Sequence, residues 1–147
     1  MRSVYDGVKV QTAVGPITVT GTLAGTTTTG SAVDTKGFNS AMLYVSAGGI
    51  STGGGTLTVT LTESATAGGN YTPALDNNGV VIGFTLVTTV GFNQGQARIE
   101  GLGLNRLRYL KPVAVLAASA TGLSTLVGTV ILGRAFVDPV NTAVSNT

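Results

Sequence analysis

The chain has 147 residues and a formal net charge of +2, and only 10% of its side chains are charged, against about 25% in an ordinary soluble domain. It contains no cysteine and no histidine, which excludes disulfides, thiolate metal sites and the usual general base at neutral pH. The length suits a single domain that buries a core without covalent staples.

Glycine numbers 22, tryptophan is absent and aromatic residues make up 5%. With threonine frequent, this is a composition for short strands and tight turns. The pI near 9.2 reflects few charges of either sign. Binding to nucleic acid by counterion release wants clustered Lys and Arg, so no direct nucleic-acid contact is expected. Residues 1–6 lack the apolar core of a secretion signal. Residues 112–133 are uncharged over a bilayer-spanning length, but Pro112, Gly122 and Gly128 among several Ser and Thr make a poor helix. No membrane contact is expected.

In chain order, residues 1–15 show a weak alternation through Val4, Val8 and Val10 and read as an N-terminal arm or edge strand. Residues 16–23 set Ile17 and Val19 against Thr18, Thr20 and Thr22, the period of a half-buried strand. The four threonines between Gly25 and Gly30 predict an extended, exposed loop. A short strand over 31–35 and a turn over 36–40 follow. Residues 41–47 are almost continuously apolar, which predicts a strand buried on both faces. After the glycine-rich stretch 48–55, residues 56–62 give the clearest strand, with Leu57, Val59 and Leu61 facing a core and four threonines facing solvent or a partner.

Residues 63–78 are polar and carry turn chemistry at Gly68-Gly69-Asn70 and Asp76-Asn77-Asn78-Gly79, with Tyr71 and Leu75 expected to pin them to the body. Residues 79–87 read as a strand whose central Gly83 suggests a bulge, and residues 91–100 as a turn leading to a short strand. The stretches 106–116 and 126–134 hold the densest apolar content and read as two neighbouring strands joined by the turn-rich 117–124. A polar tail, 138–147, follows the main domain of 16–137. Short strands at 8–12-residue spacing, with no capped helical period, predict an all-β single domain: a β-sandwich, jelly-roll-like, with extended terminal arms.

Chemistry is sparse. The carboxylates Asp6, Asp34, Glu63, Asp76, Glu100 and Asp138 form no catalytic pair in sequence, and no serine has a histidine base. Asp76-Asn77-Asn78-Gly79 reads as a turn ahead of a calcium loop, since EF-hand spacing is missing. No enzyme activity, cofactor or metal is expected. The basic residues Arg106, Arg108, Lys111 and Arg134 have two readings. In one, Arg106 and Arg108 alternate to one face of a strand and lie over the sheet with partners such as Glu100 and Glu63; in the other, they pair with acidic groups on a neighbouring subunit, a role that suits the guanidinium fork.

The ordered set Gly37-Phe-Asn-Ser-Ala41, Leu57-Thr-Val-Thr-Leu-Thr-Glu-Ser64, Arg108-Tyr-Leu-Lys-Pro-Val113 and Val130-Ile-Leu-Gly-Arg134 resembles head decoration (cement) proteins of tailed bacteriophages, over roughly residues 30–137. After Ser64 the chain runs Ala65-Thr-Ala-Gly-Gly69, where the resemblance would put an acidic loop. The resemblance implies a non-catalytic virion protein on the outer capsid surface. It would be a homo-oligomer, a trimer in the favoured form, that bridges major capsid protein subunits. Chain ends can then add strands to neighbours. The implied interface residues are Met1, Arg2, Val4, Tyr5, Arg106, Arg108, Lys111, Arg134 and Val140. The alternatives are a tail-tube, neck or fibre component of a phage, and a carbohydrate-binding β-sandwich module, for which the aromatic content is low.

Overall fold

Period-two alternation of small apolar and polar residues folds this chain as strands throughout. A computed structural model describes residues 8–17, 27–48, 50–52, 55–88, 93–102, 104, 106–116, 121–123 and 126–133. The strands are β1 (Val8–Ile17), β2 (Thr27–Thr29), β3 (Val33–Asp34), β4 (Ser40–Ala47), β5 (Ile50–Thr52) and β6 (Gly55–Ser64). They continue as β7 (Thr72–Pro73), β8 (Gly83–Thr88), β9 (Asn93–Glu100), β10 (Tyr109–Leu116), β11 (Thr121–Leu123) and β12 (Leu126–Gly133).

Four antiparallel ladders pair early strands with late ones: β1 with β12, β2 with β10, β4 with β9, and β6 with β8. Two more ladders, β12 with β4 and β10 with β6, roll that long ribbon up. The product is one sheet ordered β1-β12-β4-β9, here the first sheet, and a second built on β2-β10-β6-β8. In the second sheet β3 also pairs with β10, and β7 with β6. Strands β5 and β11 form a separate ladder. Eight main strands in two facing sheets, with the chain passing repeatedly between them, make a jelly-roll β-sandwich.

The sheets face each other because the core-forming strands β4, β6, β9, β10 and β12 bury their apolar residues on one face only. β4 alternates perfectly, with Ala41, Leu43, Val45 and Ala47 inside. β12 adds Leu126, Val130 and Leu132, and β9 adds Ala97 and Ile99. The second sheet supplies Leu57, Val59 and Leu61 from β6 and Leu110, Ala114 and Leu116 from β10. At one side the Ser31 N–H crosses to Ala13 C=O of the first sheet at 2.6 Å, next to the Gly30 N–H to Pro112 C=O bond of the second sheet at 2.8 Å. A register shift in β1 after Thr12 puts Ala13 and Val14 inward together. At the other side Gly95 of β9 lies under Phe84 and Leu86 of β8, where a Cβ would run into the Phe84 ring.

Several sequence expectations are corrected. Thr27–Thr29, read as part of a loop, pair with β10 as strand β2. β10 and β12 are not neighbours: each is a central strand, one in each sheet. Their apolar residues fall on one face each, a pattern that side-by-side pairing would also bury; what separates them is their ladders, β12 with β1 and β4, β10 with β2 and β6. β4 is not buried on both faces either; it reads as continuously apolar because its outward residues include Met42 and Tyr44. Leu75 is exposed, and the polar stretch is anchored instead by fully buried Ala74. Ala74 N–H bonds Leu61 C=O, and Ile82 N–H bonds Ala74 C=O, both at 2.8 Å. Between these anchors a side hairpin projects, closed by the Leu75–Val81 bridge. At its tip the Asp76 side chain accepts from Asn78 and Val80 N–H at 2.8 Å, and Gly79 takes φ +79°. That is the turn the sequence predicts, with its aspartate used by the backbone. Gly83, read as a mid-strand bulge, opens β8 where the hairpin rejoins the sheet.

Candidate interaction surfaces

The basic stretch that precedes and opens β10 gathers at one end of the second sheet. Arg106 lies 3.8 Å from Glu63, the two side chains each 14% exposed. The second Glu63 oxygen accepts the Leu107 N–H at 3.2 Å. Glu63 therefore ties the β9–β10 loop to the end of β6, and Arg106 neutralises it there. Arg108 forms a two-pronged pair with Asp34 of β3, Nε to Oδ1 at 2.9 Å and Nη2 to Oδ2 at 2.6 Å. Its guanidinium also lies 5.1 Å from the centre of the Tyr109 ring. The Lys36 N–H donates to the same Asp34 carboxylate at 3.0 Å. Those Arg108 bonds first, and the Lys36 N–H second, hold the Asp34 carboxyl well below the usual carboxylate range. Lys111 sits with Nζ 4.0 Å above the Tyr71 ring. The Tyr71 hydroxyl donates to Ala67 C=O at 3.0 Å, and burial, then the neighbouring Tyr109, pushes its pKa up.

Of the predicted interface residues, the structure thus brings Arg106, Arg108 and Lys111 together and gives each a partner within the chain. Glu63 is the partner of Arg106, as expected. Glu100 instead pairs with Arg98 on β9. Met1, Arg2, Val4, Tyr5, Arg134 and Val140 lie outside the described residues, as do residues 1–7, most of the strand expected over 16–23 and the 138–147 tail, whereas residues 8–15 belong to the edge strand β1. Among the described residues no cluster of three or more carboxylates is placed to hold a metal ion, and no helix is long and apolar enough to cross a membrane.

The outer faces of the two sheets are different surfaces. On the second sheet, cross-strand rows set Thr29, Val113 and Thr60 together, and Thr27, Val115, Thr58 and Thr85 together. Several hydroxyls there are already used: Thr62 donates to Lys111 C=O at 2.7 Å, and Thr58 and Thr85 bond each other at 3.1 Å. This face therefore sets bonded threonine hydroxyls beside methyl groups and the exposed Val115. On the first sheet, the register aligns Val10, Ile131, Met42 and Arg98 in one outward row and Thr12, Thr129, Tyr44 and Gln96 in the next. Val8 and Val127 extend the apolar part toward either end. Val10 is 65% exposed and Val8 45%. Met42, Val127 and Ile131 are half-buried, and the band crosses the strands from the exposed valines of β1.

No family model matches this chain, and no curated protein sequence matches it. Among solved structures, it is similar to a family 11 carbohydrate-binding module from Clostridium thermocellum, solved with a β-1,3-1,4-mixed-linked tetrasaccharide. The identity is 12%, over 88% of this chain and 85% of that one, with a TM-score of 0.39. It is also similar to a chain in the structure of infectious bursal disease virus, Gx strain, at 14% identity and a TM-score of 0.34. That match covers 86% of this chain and 42% of the viral one, so this chain spans less than half its length. Both scores lie under 0.5, and neither likeness carries an argument about function.

The band on the first sheet was missed in the sequence, though a signal for it was present. Residues 41–47 have too many apolar residues for a one-sided strand, and a second buried face is one explanation. An outward face left for a partner is the other, and only the strand order separates the two.

Proposed function

We propose that this chain is a structural assembly protein of a virion. In its specific form it is a decoration protein that binds the outer surface of a tailed-phage capsid and bridges neighbouring major capsid protein subunits. The reading is carried by the apolar band of Val8, Val10, Met42, Val127 and Ile131 across the outer face of the first sheet. A monomer leaves such a row wet at a cost, and a flat partner recovers it at about 25 cal/mol per Å² buried. The band is weakly charged, with Arg98 and Glu100 paired at its β9 margin, which suits contact with another protein surface. The rolled topology gives a stiff frame for such a contact, since the central strands β4, β12, β6 and β10 are each held between two ladders.

In this reading the protein catalyses nothing and works as a homo-oligomer, with a trimer favoured by the resemblance to cement proteins. The basic stretch and the terminal segments supply further contacts with subunits. The test mixes purified protein with expanded heads that lack it. Stoichiometric binding and raised thermal stability of the heads are expected, and heads that stay bare sink the proposal. Replacing Val10, Met42 and Ile131 together by serine is expected to abolish binding while the chain stays folded.

A further inference from the structure

We infer that the end of the second sheet around Lys36, Arg108 and Lys111 is a docking patch for a carboxylate-bearing segment of another protein. The inference rests on reading the basic stretch as a contact, and not on which assembly the chain joins. Three features carry it.

The first is charge. Lys36, Arg106, Arg108 and Lys111 gather here against two carboxylates, Asp34 and Glu63, leaving a surplus of two positive charges. That surplus sits on Lys36 and Lys111. Among the described residues neither has a carboxylate within ion-pair distance, whereas both arginines do. Both are ammonium ions with no ion pair among the described residues to break when a partner carboxylate approaches.

The second is preorganisation. Asp34 is fixed by the Arg108 fork and by the Lys36 N–H. Arg108 in turn lies over Tyr109, and Lys111 over Tyr71. The Tyr71 hydroxyl is tied to Ala67 C=O, so the ring under Lys111 is held in place. Cations held against aromatic faces lose less freedom on binding than free lysines do, and that lowers the cost of docking. Exposed Leu107 lies beside Arg108 and adds an apolar contact.

The third is the pattern of sign. A fixed carboxylate, Asp34, stands between Lys36 and Arg108. A dense polyanion such as nucleic acid places phosphates too closely to avoid it, and binds best to cations without interruption. A protein segment with a few spaced carboxylates avoids Asp34 and meets both lysines, and complementarity of this kind gives specificity.

The experiment titrates the full chain with a ten-residue peptide of alternating Glu and Ser, at low salt, and follows backbone amide shifts. Saturable shifts at Lys36, Tyr71, Tyr109 and Lys111 are expected. Affinity should fall by about tenfold or more in Lys36→Glu/Lys111→Glu with unchanged Tm, and should persist in the charge-matched control Lys9→Glu/Arg98→Glu. Equal loss in the control overturns the inference, since general basicity then explains the binding. So do shifts elsewhere, no saturable shifts, or tighter binding of a single-stranded oligonucleotide of the same length. The same variants on expanded heads separate the two proposals. If the wild-type chain leaves heads bare but the peptide titrates the patch, the capsid reading falls and this inference stands. If wild type and Lys36→Glu/Lys111→Glu coat heads equally, the patch is not the contact and the capsid reading stands.

Discussion

The two sheets bury alike and present differently. Inside, both offer rows of Leu, Val, Ile and Ala at period two, and their central strands, β12 with β4 and β10 with β6, supply much of the core. Outside, the second sheet carries threonines whose hydroxyls bond within the sheet, together with the paired charges at its end. The first carries Val10, Ile131 and Met42 in a wet apolar row. One outer face mixes bonded hydroxyls with valines, and the other sets an apolar row across its strands, a difference that follows from the pairing registers.

That contrast can be broken most forcefully from within. Leu43→Ala in the first sheet and Leu110→Ala in the second each remove a fully buried side chain and should cost about 2–5 kcal/mol of stability, read as a lower urea midpoint. A much smaller cost for either would mean that its sheet is not a closed half of the core. Next is Gly95→Ala, where the new methyl meets the Phe84 ring that closes one side of the sandwich. Overpacking there should cost about 1–3 kcal/mol in the same measurement.

Substitutions on the outer band come third for stability and first for assembly. Met42→Ser and Ile131→Ser should each cost roughly 1 kcal/mol or less, since these side chains are only partly buried. Together with Val10→Ser they should abolish head binding. If Thr58→Ser and Thr85→Ser on the other sheet weaken binding just as much, the contrast between the faces fails. The smallest effect is expected at the half-exposed Asp34–Arg108 pair. The folded-state pKa of Asp34 is lowered, so the pair's contribution is present above the ordinary carboxylate pKa near 3.9 and is lost as pH falls below it toward the folded value. Asp34→Asn should flatten that part of an acid-unfolding curve. High salt should shrink the difference, since exposed pairs are screened.

Much of this was legible in the sequence. The strand over residues 56–62 with Leu57, Val59 and Leu61 inward and the turn at Asp76 to Gly79 both follow from local period or turn chemistry. The partner of Arg108 was not legible, because Asp34 lies 74 residues away and meets it only through the β3–β10 ladder. The side hairpin was hidden for a similar reason. Residues 79–87 read as one strand, and only the backbone bonds of Ala74 and Ile82 to Leu61 show where the chain leaves the sheet and returns.

The sequence by itself determined that this chain is all-β, with one-faced strands and no histidine or cysteine chemistry, because alternation and composition are local properties. Tertiary structure alone decided which strands are neighbours. Each ladder of the rolled ribbon joins strands set apart along the chain, and the same apolar pattern is compatible with many pairings. The separation of β10 and β12 into opposite sheets, the outward turn of Met42 and Ile131, and the meeting of Asp34 with Arg108 are all consequences of register. A strand's period says that it has two faces, and only its neighbours say what each face meets.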